Sequence, residues 1–367
     1  MSGLSAAAGD FSAAERAGMD HALRLAGDGV RGANPLVGTV ILDEDGTVLA
    51  SGAHHGAGTP HAEAAALAAL GHLPADRARR LTLLATLEPC SHTGRTGPCA
   101  EAIIRSGIGR VVYASADGTE RAGGGAEMMQ RAGIDVVSGL CGDTARELNH
   151  RWFAARTADR PFTTLHLAQS LDGRIAAADG TSQWITGDGA RGHSHAVRAR
   201  AEAIIAGTGT ILADNPRLTA RTPDGSPAAR QPLRVVMGHR DVPAGAAIAD
   251  GPDYLQLREH DPAAVLADLA GRGIDHAMIE GGASIATAFL SADLVDEIWL
   301  YQAPLFLGSG RHAVGDLGVT TLADAARFRY DDRGGPAHQL LGADAVLHLE
   351  PTPTSGPAQV TDHERTR

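Results

Sequence analysis

The chain has 367 residues, of which 43% are hydrophobic and 20% are charged, and its formal net charge is −11. This length suits about two or three domains, and the acidic balance argues against nucleic-acid partners, because phosphate binding needs a basic surface. No apolar run is long enough to span a membrane, and residues 1–10 lack the pattern of a signal peptide, so we expect a cytoplasmic protein. All 32 cationic side chains are arginine, which excludes a lysine Schiff base and a P-loop lysine.

The first half of the chain alternates helical and extended patterns. Apolar spacing, flanking turn residues and a proline ahead of an alanine-rich stretch define the elements. The predicted order is helix 12–28, strand 37–42, helix 60–70, strand 81–86, helix 100–105 and strand 111–114. Such alternation predicts an α/β layered domain.

The alternation restarts in the second half and predicts another α/β domain. Strands are predicted at 162–168, 203–206, 233–237, 277–279, 297–301 and 345–349, with a helix from 283 to 290. We expect a first domain at 1–150, a linker at 151–161, a second domain at 162–350 and a disordered polar tail at 351–367.

A short motif in the first half has the pattern of a zinc-dependent deaminase. His61 lies two residues before Glu63, and Pro89-Cys90 and Cys99 follow downstream. One imidazole and two thiolates hold a zinc ion and leave a fourth position for water, whose pKa the metal lowers. Glu63 is then the acid/base that carries a proton from the water to the departing ammonia. A structural zinc site is the alternative, with His92 as a fourth protein ligand.

The spacing of the two cysteines departs from the usual Cys-x2-Cys, since eight residues separate Cys90 from Cys99. The segment 86–99, which reads TLEPCSHTGRTGPC, resembles the signature of the bifunctional riboflavin-biosynthesis deaminase/reductases. The segments 34–38, 58–63 and, more loosely, 149–153 resemble the same family, and the resemblance covers about residues 12–350. It implies an N-terminal cytidine-deaminase-like three-layer domain and a C-terminal dihydrofolate-reductase-like domain, both of α/β class.

The resemblance implies that the first domain deaminates a diaminopyrimidinone carrying a ribosylamino 5′-phosphate. It places Asn34, His54, His92 and Arg95 at that substrate. Amide and imidazole groups suit a polar pyrimidine, and arginine suits a phosphate. Asn34 could instead cap the turn before Pro35, and Arg95 could be a solvated loop charge.

In the second half, the glycine-rich turns at 207–210 and 281–282 are by themselves weak indications of a cofactor site. They lack the G-x-G-x-x-G pattern and could make tight turns or hold a phosphate. The resemblance implies that this domain uses NADPH to reduce the ribosyl ring of the deaminated product to a ribityl chain. It places at the substrate Ser182, Arg198, Leu218, Arg221 and Glu280. It places at the cofactor Ala168, Trp184, Thr210, Asp214, Gly282, Ala283, Ser284, Ile285, Ala286, Thr287 and Ala288.

Three positions depart from the family pattern. His166 occupies a position where the family usually has lysine, and Gly238 and Asn215 replace frequent aspartates. We expect His166 to substitute for the lysine. A deaminase with an inactive reductase-like domain, or a paralogue acting on a related pyrimidine, remains an alternative. A zinc-stapled scaffold without catalysis is another. The resemblance also implies a homo-oligomer.

Overall fold

The computed structural model describes residues 11–56, 58–91, 97–117, 123–250, 254–333 and 336–352. The first half of this part holds seven helices and five strands. They are α1 (Ala13–Gly27), β1 (Gly38–Leu42), β2 (Val48–Ala53), α2 (Ala62–Leu70), α3 (Ala75–Ala78), β3 (Thr82–Leu87), α4 (Cys99–Ser106), β4 (Arg110–Ser115), α5 (Gly125–Arg131), β5 (Asp135–Ser138), α6 (Gly142–Leu148) and α7 (His150–Thr157).

These strands form one mixed sheet between two layers of helices. The order is β2-β1-β3-β4-β5, with β1 antiparallel to its neighbours and β3, β4 and β5 parallel. Successive residues of β1 face opposite sides, because side chains alternate along a strand. Val40 packs with Met19 of α1, whereas Ile41 packs with Ala66 of α2 and Ile103 of α4. The predicted three-layer domain is confirmed.

The second half of the described chain contains four helices and eleven strands. They are β6 (Phe162–Ser170), β7 (Arg174–Ala176), α8 (Asp188–Arg200), β8 (Ala203–Gly207), α9 (Thr208–Asp214), β9 (Leu233–Met237), β10 (Tyr254–Leu257), α10 (Pro262–Gly271), β11 (His276–Ile279), α11 (Ala283–Ser291), β12 (Glu297–Ala303), β13 (Arg311–His312), β14 (Phe328–Tyr330), β15 (His338–Leu341) and β16 (Asp344–Pro351).

Nine of these strands form the second sheet, in the order β10-β9-β8-β11-β6-β12-β16-β14, with β15 added beside β16. The six strands from β10 to β12 are parallel and the last ones are antiparallel. Residues of α10 and α11 cover one face, and residues of α8 and α9 cover the other. Parallel strands place their carboxyl ends at one edge, where a ligand site of an open α/β sheet is expected.

The predicted linker is largely helical, since α7 extends through Thr157 and its Trp152 and Ala155 are buried. At the other end, β16 extends through Pro351, one residue into the predicted tail, and residues 353–367 lie outside the described part of the chain. None of the described helices combines the length and hydrophobicity that a bilayer span requires.

Buried ion pairs join the two domains. Asp296 is fully buried and receives Arg160 at 2.6 Å and Arg151 at 3.1 Å. A second connection runs from Arg31, just before β1, to Glu350 of β16 at 2.7 Å. Removing the arginines that pair with Asp296 would be costly, because its buried charge would be left uncompensated. The relative placement of the domains is therefore built into the packing.

Candidate active sites

Three elements of the first domain bring the predicted zinc ligands together. His61 is the residue that precedes the first turn of α2. Cys90 follows the end of β3, and Cys99 is the first residue of α4. Because β3 is central in its sheet, its carboxyl end delivers Cys90 towards the N-termini of the two helices.

The donor atoms of these residues form a tight cluster. His61 Nδ1 lies 3.3 Å from Cys99 Sγ and 3.7 Å from Cys90 Sγ. All three donor atoms lie within 4.8 Å of one another. Such separations suit ligands that share one tetrahedral metal ion. His92, the alternative fourth ligand, lies outside the described residues.

Cys90 and Cys99 influence each other's ionisation. The hydrogen bond from Cys99 lowers the pKa of Cys90, and the same contact raises the pKa of Cys99. Two thiolates side by side in a buried site require a cation to offset their charge. The donor set of one imidazole and two thiols therefore fits zinc.

Glu63 lies in the first turn of α2, beside the three ligands, and its side chain is buried. Burial raises the pKa of its carboxyl group. A carboxylate with a raised pKa is a stronger base than an ordinary carboxylate, and its protonated form persists closer to neutral pH. Its position and chemistry suit the predicted acid/base role.

Asn34 and His54 form a hydrogen-bonded pair at the edge of the cluster. His54 Nδ1 lies 3.0 Å from the Pro60 carbonyl oxygen, which only accepts, so Nδ1 carries the proton. The bare Nε2 then accepts from Asn34 Nδ2 at 2.9 Å. Burial lowers the pKa of His54, which favours this neutral ring. The His54 ring meets the His61 ring edge-on at 5.4 Å, and the Asn34 amide oxygen remains as an acceptor for a ligand.

The segment 149–153 of the sequence holds the loop that carries Asn34. Asn149 accepts from the Leu36 N–H at 2.8 Å and donates to the Leu36 carbonyl at 2.9 Å. Trp152 Nε1 donates to the Ala33 carbonyl at 3.2 Å. These supporting roles were absent from the sequence prediction, since about 115 residues separate the partners. Arg95, the predicted phosphate contact, lies outside the described residues.

A cavity of about 570 Å³ at the carboxyl edge of the second sheet brings together ten of the predicted residues. Its lining includes all five predicted substrate residues and four of the predicted cofactor residues, together with His166. They are Ser182, Arg198, Leu218, Arg221, Glu280, Ala168, Trp184, Thr210, Asp214 and His166. The segments that supply them are far apart in sequence, so their convergence supports a single site.

Arg198 and Glu280 are the charged centre of this cavity. Arg198 Nη2 donates to Glu280 Oε1 at 2.6 Å, and Nη1 donates to the Thr219 carbonyl at 2.7 Å. Burial alone would raise the pKa of Glu280, but the charge of Arg198 outweighs this effect, and the net pKa is lowered. Arg198 Nε and Glu280 Oε2 are buried without a hydrogen-bond partner among the described residues. Orphaned polar atoms of this kind indicate a polar ligand.

His166 approaches the same carboxylate from β6. Its Nδ1 lies 3.7 Å from Glu280 Oε1, and burial lowers its pKa. Its ring packs at 4.8 Å against the ring of Tyr301, which also lines the cavity. A neutral imidazole at this position hydrogen bonds but carries less charge than the lysine it replaces.

The other predicted substrate and cofactor residues differ in exposure. Ser182 donates to Asp214 at 2.8 Å. Trp184 is 68% exposed, with the Arg191 guanidinium 4.7 Å above its ring. Leu218 is buried and Arg221 is exposed. An indole this exposed is not a core residue.

His195 lines the cavity although the sequence analysis did not single it out. Its Nδ1 lies 3.4 Å from Arg198 Nη1, and burial lowers its pKa to about 4. The spacing of three residues on α8 places the two on one helix face. This spacing from Arg198 was the sequence feature from which the position of His195 could have been predicted.

A second cavity, of about 840 Å³, adjoins the first through Thr210. Besides Thr210, four more of the predicted cofactor residues line it at the N-terminus of α11, namely Gly282, Ala283, Ser284 and Ile285. Arg240, Arg311, His239 and His260 also line it, and no described carboxylate does. Cationic side chains beside a helix N-terminus suit phosphate groups, so the donor set fits a phosphorylated nucleotide cofactor such as NADPH.

The remaining three predicted cofactor residues of α11, at positions 286–288, do not line the cavities. Ala286 is fully buried in the core cluster beneath α11. Thr287 accepts from the Gly315 N–H at 2.7 Å and donates to the Ala283 carbonyl. Neither these two residues nor Ala288 lines either cavity. Because a helix turns by 100° per residue, a run of seven cannot all face one ligand.

Two departures from the family pattern have structural reasons. Gly238 has a φ of +127°, and a Cβ there would lie 2.8 Å from Thr208 Oγ1, so a side chain would be strained. Asn215 ends α9 in the left-handed conformation with a φ of 44°, which asparagine tolerates, and its Oδ1 accepts from the Ala247 N–H.

Both halves of the chain match known protein families. Residues 13–115 match the cytidine and deoxycytidylate deaminase zinc-binding region, and residues 161–334 match the RibD C-terminal domain. The riboflavin biosynthesis protein RibD of Mycobacterium tuberculosis is 42% identical over 317 residues, which covers 86% of this chain and 90% of that protein. Its counterpart in Escherichia coli is 37% identical and covers 90% and 98%.

The chain belongs to the RibD family of riboflavin biosynthesis proteins. Among solved structures, Acinetobacter baumannii RibD superposes with a TM-score of 0.72 at 34% identity, covering 92% of this chain and 99% of that one. A diaminohydroxyphosphoribosylaminopyrimidine deaminase/5-amino-6-(5-phosphoribosylamino)uracil reductase from Thermotoga maritima superposes with a TM-score of 0.68 at 29% identity, covering 92% and 99%. As a RibD protein, the chain is a bifunctional enzyme with a zinc-binding deaminase domain and an NADPH-using reductase domain.

Proposed function

We propose that the first-domain cluster deaminates 2,5-diamino-6-ribosylamino-4(3H)-pyrimidinone 5′-phosphate and that the 570 Å³ cavity then reduces the product's ribosyl group. The observation that carries the first assignment is the convergence of three metal-ligand atoms within 4.8 Å, beside the buried Glu63. A structural site would require a fourth protein ligand, and the structure brings no fourth described residue into the cluster.

In the deamination, water replaces the amino group of the pyrimidine and ammonia leaves. Bound zinc supplies Lewis-acid activation of the water. Glu63 accepts the proton that the water loses and returns it to the departing nitrogen, and its raised pKa suits both transfers. Asn34 is oriented by its bond to His54, so its amide oxygen accepts an N–H of the pyrimidine. Arg95 and His92 complete the substrate contacts in this proposal.

In the reduction, NADPH supplies a hydride to C1′ of the ribosyl group, the C1′–O4′ bond breaks, and O4′ gains a proton. Glu280 Oε2 and Arg198 Nε, both buried and unpartnered among the described residues, meet the polar substrate. Ser182 and Leu218 line the same face, and Arg221 at the rim faces the 5′-phosphate. His166 hydrogen bonds near the ribosyl group in place of lysine.

In this proposal, residues of the two adjoining cavities would hold the cofactor. Thr210 lines both cavities, and its hydroxyl accepts from the Gly282 N–H at 3.0 Å. Ala168, Trp184 and Asp214 would bind the nicotinamide half. The N-terminus of α11 and Arg240 would bind phosphate.

A coupled assay tests the whole proposal. Zinc-loaded protein is given the diaminopyrimidinone substrate, ammonia release is measured, and NADPH oxidation is followed at 340 nm, the conventional wavelength. Ammonia followed by NADPH oxidation supports both assignments. Ammonia without NADPH oxidation would favour the alternative that the departure at His166 raises, a deaminase with an inactive reductase-like domain. The homo-oligomer that the family resemblance implies is tested by light scattering on the same sample.

A further inference from the structure

The loop that carries Asn34 is fastened to the reductase domain by Arg31. Arg31 Nη1 donates to Glu350 of β16 at 2.7 Å, Nε lies 3.2 Å from Asp331, and Nη2 donates to the Leu148 carbonyl at 3.2 Å. Both carboxylates are fully buried and Arg31 is itself buried. Only Gly32 and Ala33 therefore separate this contact with the second domain from Asn34, whose amide faces the pyrimidine in the proposed function.

The next residue of the loop also meets the second domain. Gly32 lies against His276 at the start of β11, so closely that a Cβ would be 2.8 Å from the ring's Nδ1. Its φ of +154° is one that residues with a side chain rarely adopt. Trp152 of α7 then holds the Ala33 carbonyl. Up to Asn34, the loop thus lies against the second domain and α7, outside the sheet of the deaminase domain.

Removing Arg31 would leave the buried carboxylates paired. Glu350 keeps its ion pairs with Arg329 and Arg333, and Asp331 keeps Arg333 at 2.7 Å. The charge of Arg31 is thus not the sole compensation for either carboxylate. Its distinct contribution is the connection between the loop and the reductase domain.

We propose that Arg31 is a positioning residue for deamination, through which the reductase domain holds Asn34 at the pyrimidine. This inference rests on the proposed role of Asn34 as a substrate contact. It gives a physical reason for joining deamination and reduction in one chain, because the reductase domain holds the substrate loop of the deaminase domain in position. Arg31 itself does not touch substrate in this proposal.

The test uses the full-length zinc-loaded protein and its Arg31→Met and Arg31→Lys variants. Arg156→Met is the matched control, since Arg156 also joins α7 to the second domain, through Asp275 at 2.6 Å, without touching the loop. For each protein, KM and kcat of deamination, zinc content, thermal unfolding and the reductase rate on the deaminated intermediate are measured. The reductase rate and the zinc content report whether both domains are folded.

For Arg31→Met we expect the KM of deamination to rise about tenfold or more, since a displaced contact weakens binding, with kcat, zinc content and reductase rate close to those of the parent. Arg31→Lys keeps the positive charge but not the several N–H donors of the planar guanidinium, so its KM should rise less than that of Arg31→Met. Arg156→Met should leave this KM unchanged. An unaltered KM in Arg31→Met, or an equal rise in Arg156→Met, overturns the inference. A parent protein that releases no ammonia refutes the proposed function instead.

Discussion

Asn34 donates its amide hydrogen to Nε2 of His54, 2.9 Å away, and this bond decides which end of the amide faces the ligand site. His54 has no choice of tautomer, because its Nδ1 is committed to the Pro60 carbonyl. The hydrogen bond to His54 therefore fixes the orientation of the Asn34 side chain, with its amide nitrogen towards His54 and its amide oxygen on the other side. If Asn34 binds the pyrimidine as we propose, its amide oxygen is oriented as an acceptor before the substrate arrives.

Asn34→Asp should therefore be nearly as damaging to deamination as Asn34→Ala. The carboxylate has no hydrogen to give to the bare Nε2, so the pair loses its bond and an extra charge is placed beside the site. We expect kcat/KM to fall about 10- to 100-fold in both variants, the range for one lost hydrogen bond to a buried group. Steady-state ammonia release measures this, with retained zinc as the folding control. A fully active Asn34→Asp would show that the amide direction is irrelevant.

Glu63→Gln should abolish deamination and leave reduction intact. The amide cannot accept the proton of the water, and general acid/base catalysis contributes about 100- to 10,000-fold. Glu101→Gln is the matched control, since Glu101 lies exposed in the first turn of α4 rather than buried in that of α2. Ammonia release and NADPH oxidation on the deaminated intermediate are measured for both variants. Retention of more than about a tenth of the rate by Glu63→Gln would contradict the acid/base role.

Zinc removal should separate the two activities. The metal-ligand cluster lies entirely in the first domain, whereas the described cavity residues of the reductase site belong to the second. After chelation we expect ammonia release to stop and to return with added zinc, while the reductase rate on the deaminated intermediate stays within about twofold. Metal analysis by mass spectrometry should find one zinc per chain. If reduction stopped as well, zinc would be needed for the fold of the whole protein, as in a zinc-stapled scaffold.

The pH dependence of reduction should change when Arg198 is removed. Burial favours the neutral acid at Glu280, and Arg198 reverses this and lowers the net pKa. A lowered pKa means that the ionised carboxylate stabilises the folded protein above its ordinary pKa, and that this contribution is lost as pH falls through the lowered value.

In Arg198→Met the burial effect should dominate, so the pKa of Glu280 rises and the acid limb of the reductase pH profile moves to higher pH. The profile of kcat/KM against pH measures this. Arg191→Met, which removes a cation at the rim of the same cavity, should leave the acid limb in place. An acid limb that stays where it is in Arg198→Met would show that the ionisation of Glu280 does not control the rate.

His166 should matter for reduction although it is shorter than the lysine it replaces. Its Nδ1 lies 3.7 Å from Glu280 Oε1 and its ring packs on Tyr301, so it can hydrogen bond to a ligand beside Glu280, where we propose that the ribosyl group binds. We expect His166→Ala to lower the reductase kcat about 10-fold or more, with deamination unchanged. Single-turnover NADPH oxidation measures the chemical step. An unchanged rate in His166→Ala would refute the substitution hypothesis.

The sequence by itself determined the elements and the local part of the chemistry. The strand at 233–237 was predicted at its observed bounds, and the strands at 37–42 and 203–206 and the helix at 100–105 were within one residue at each end. His61 and Glu63 lie at the same end of one helix, and Cys90 and Cys99 are nine positions apart, so short spacing in sequence already indicated closeness in space. The family resemblance supplied the second-domain residues, and the structure collects most of them in two adjoining cavities.

Only the tertiary structure decided which side chains support the site. Arg31 and Glu350 are 319 residues apart, and Asn149 is 113 residues from the backbone it holds. No local spacing predicts such pairs, because they depend on how two separately folded sheets pack on each other. The same packing turned Ala286 into the core and left Arg198 Nε and Glu280 Oε2 buried with no hydrogen-bond partner in the described part of the chain. A periodic pattern defines the buried face of an element, but the neighbour that covers this face is chosen by the packing of the whole chain.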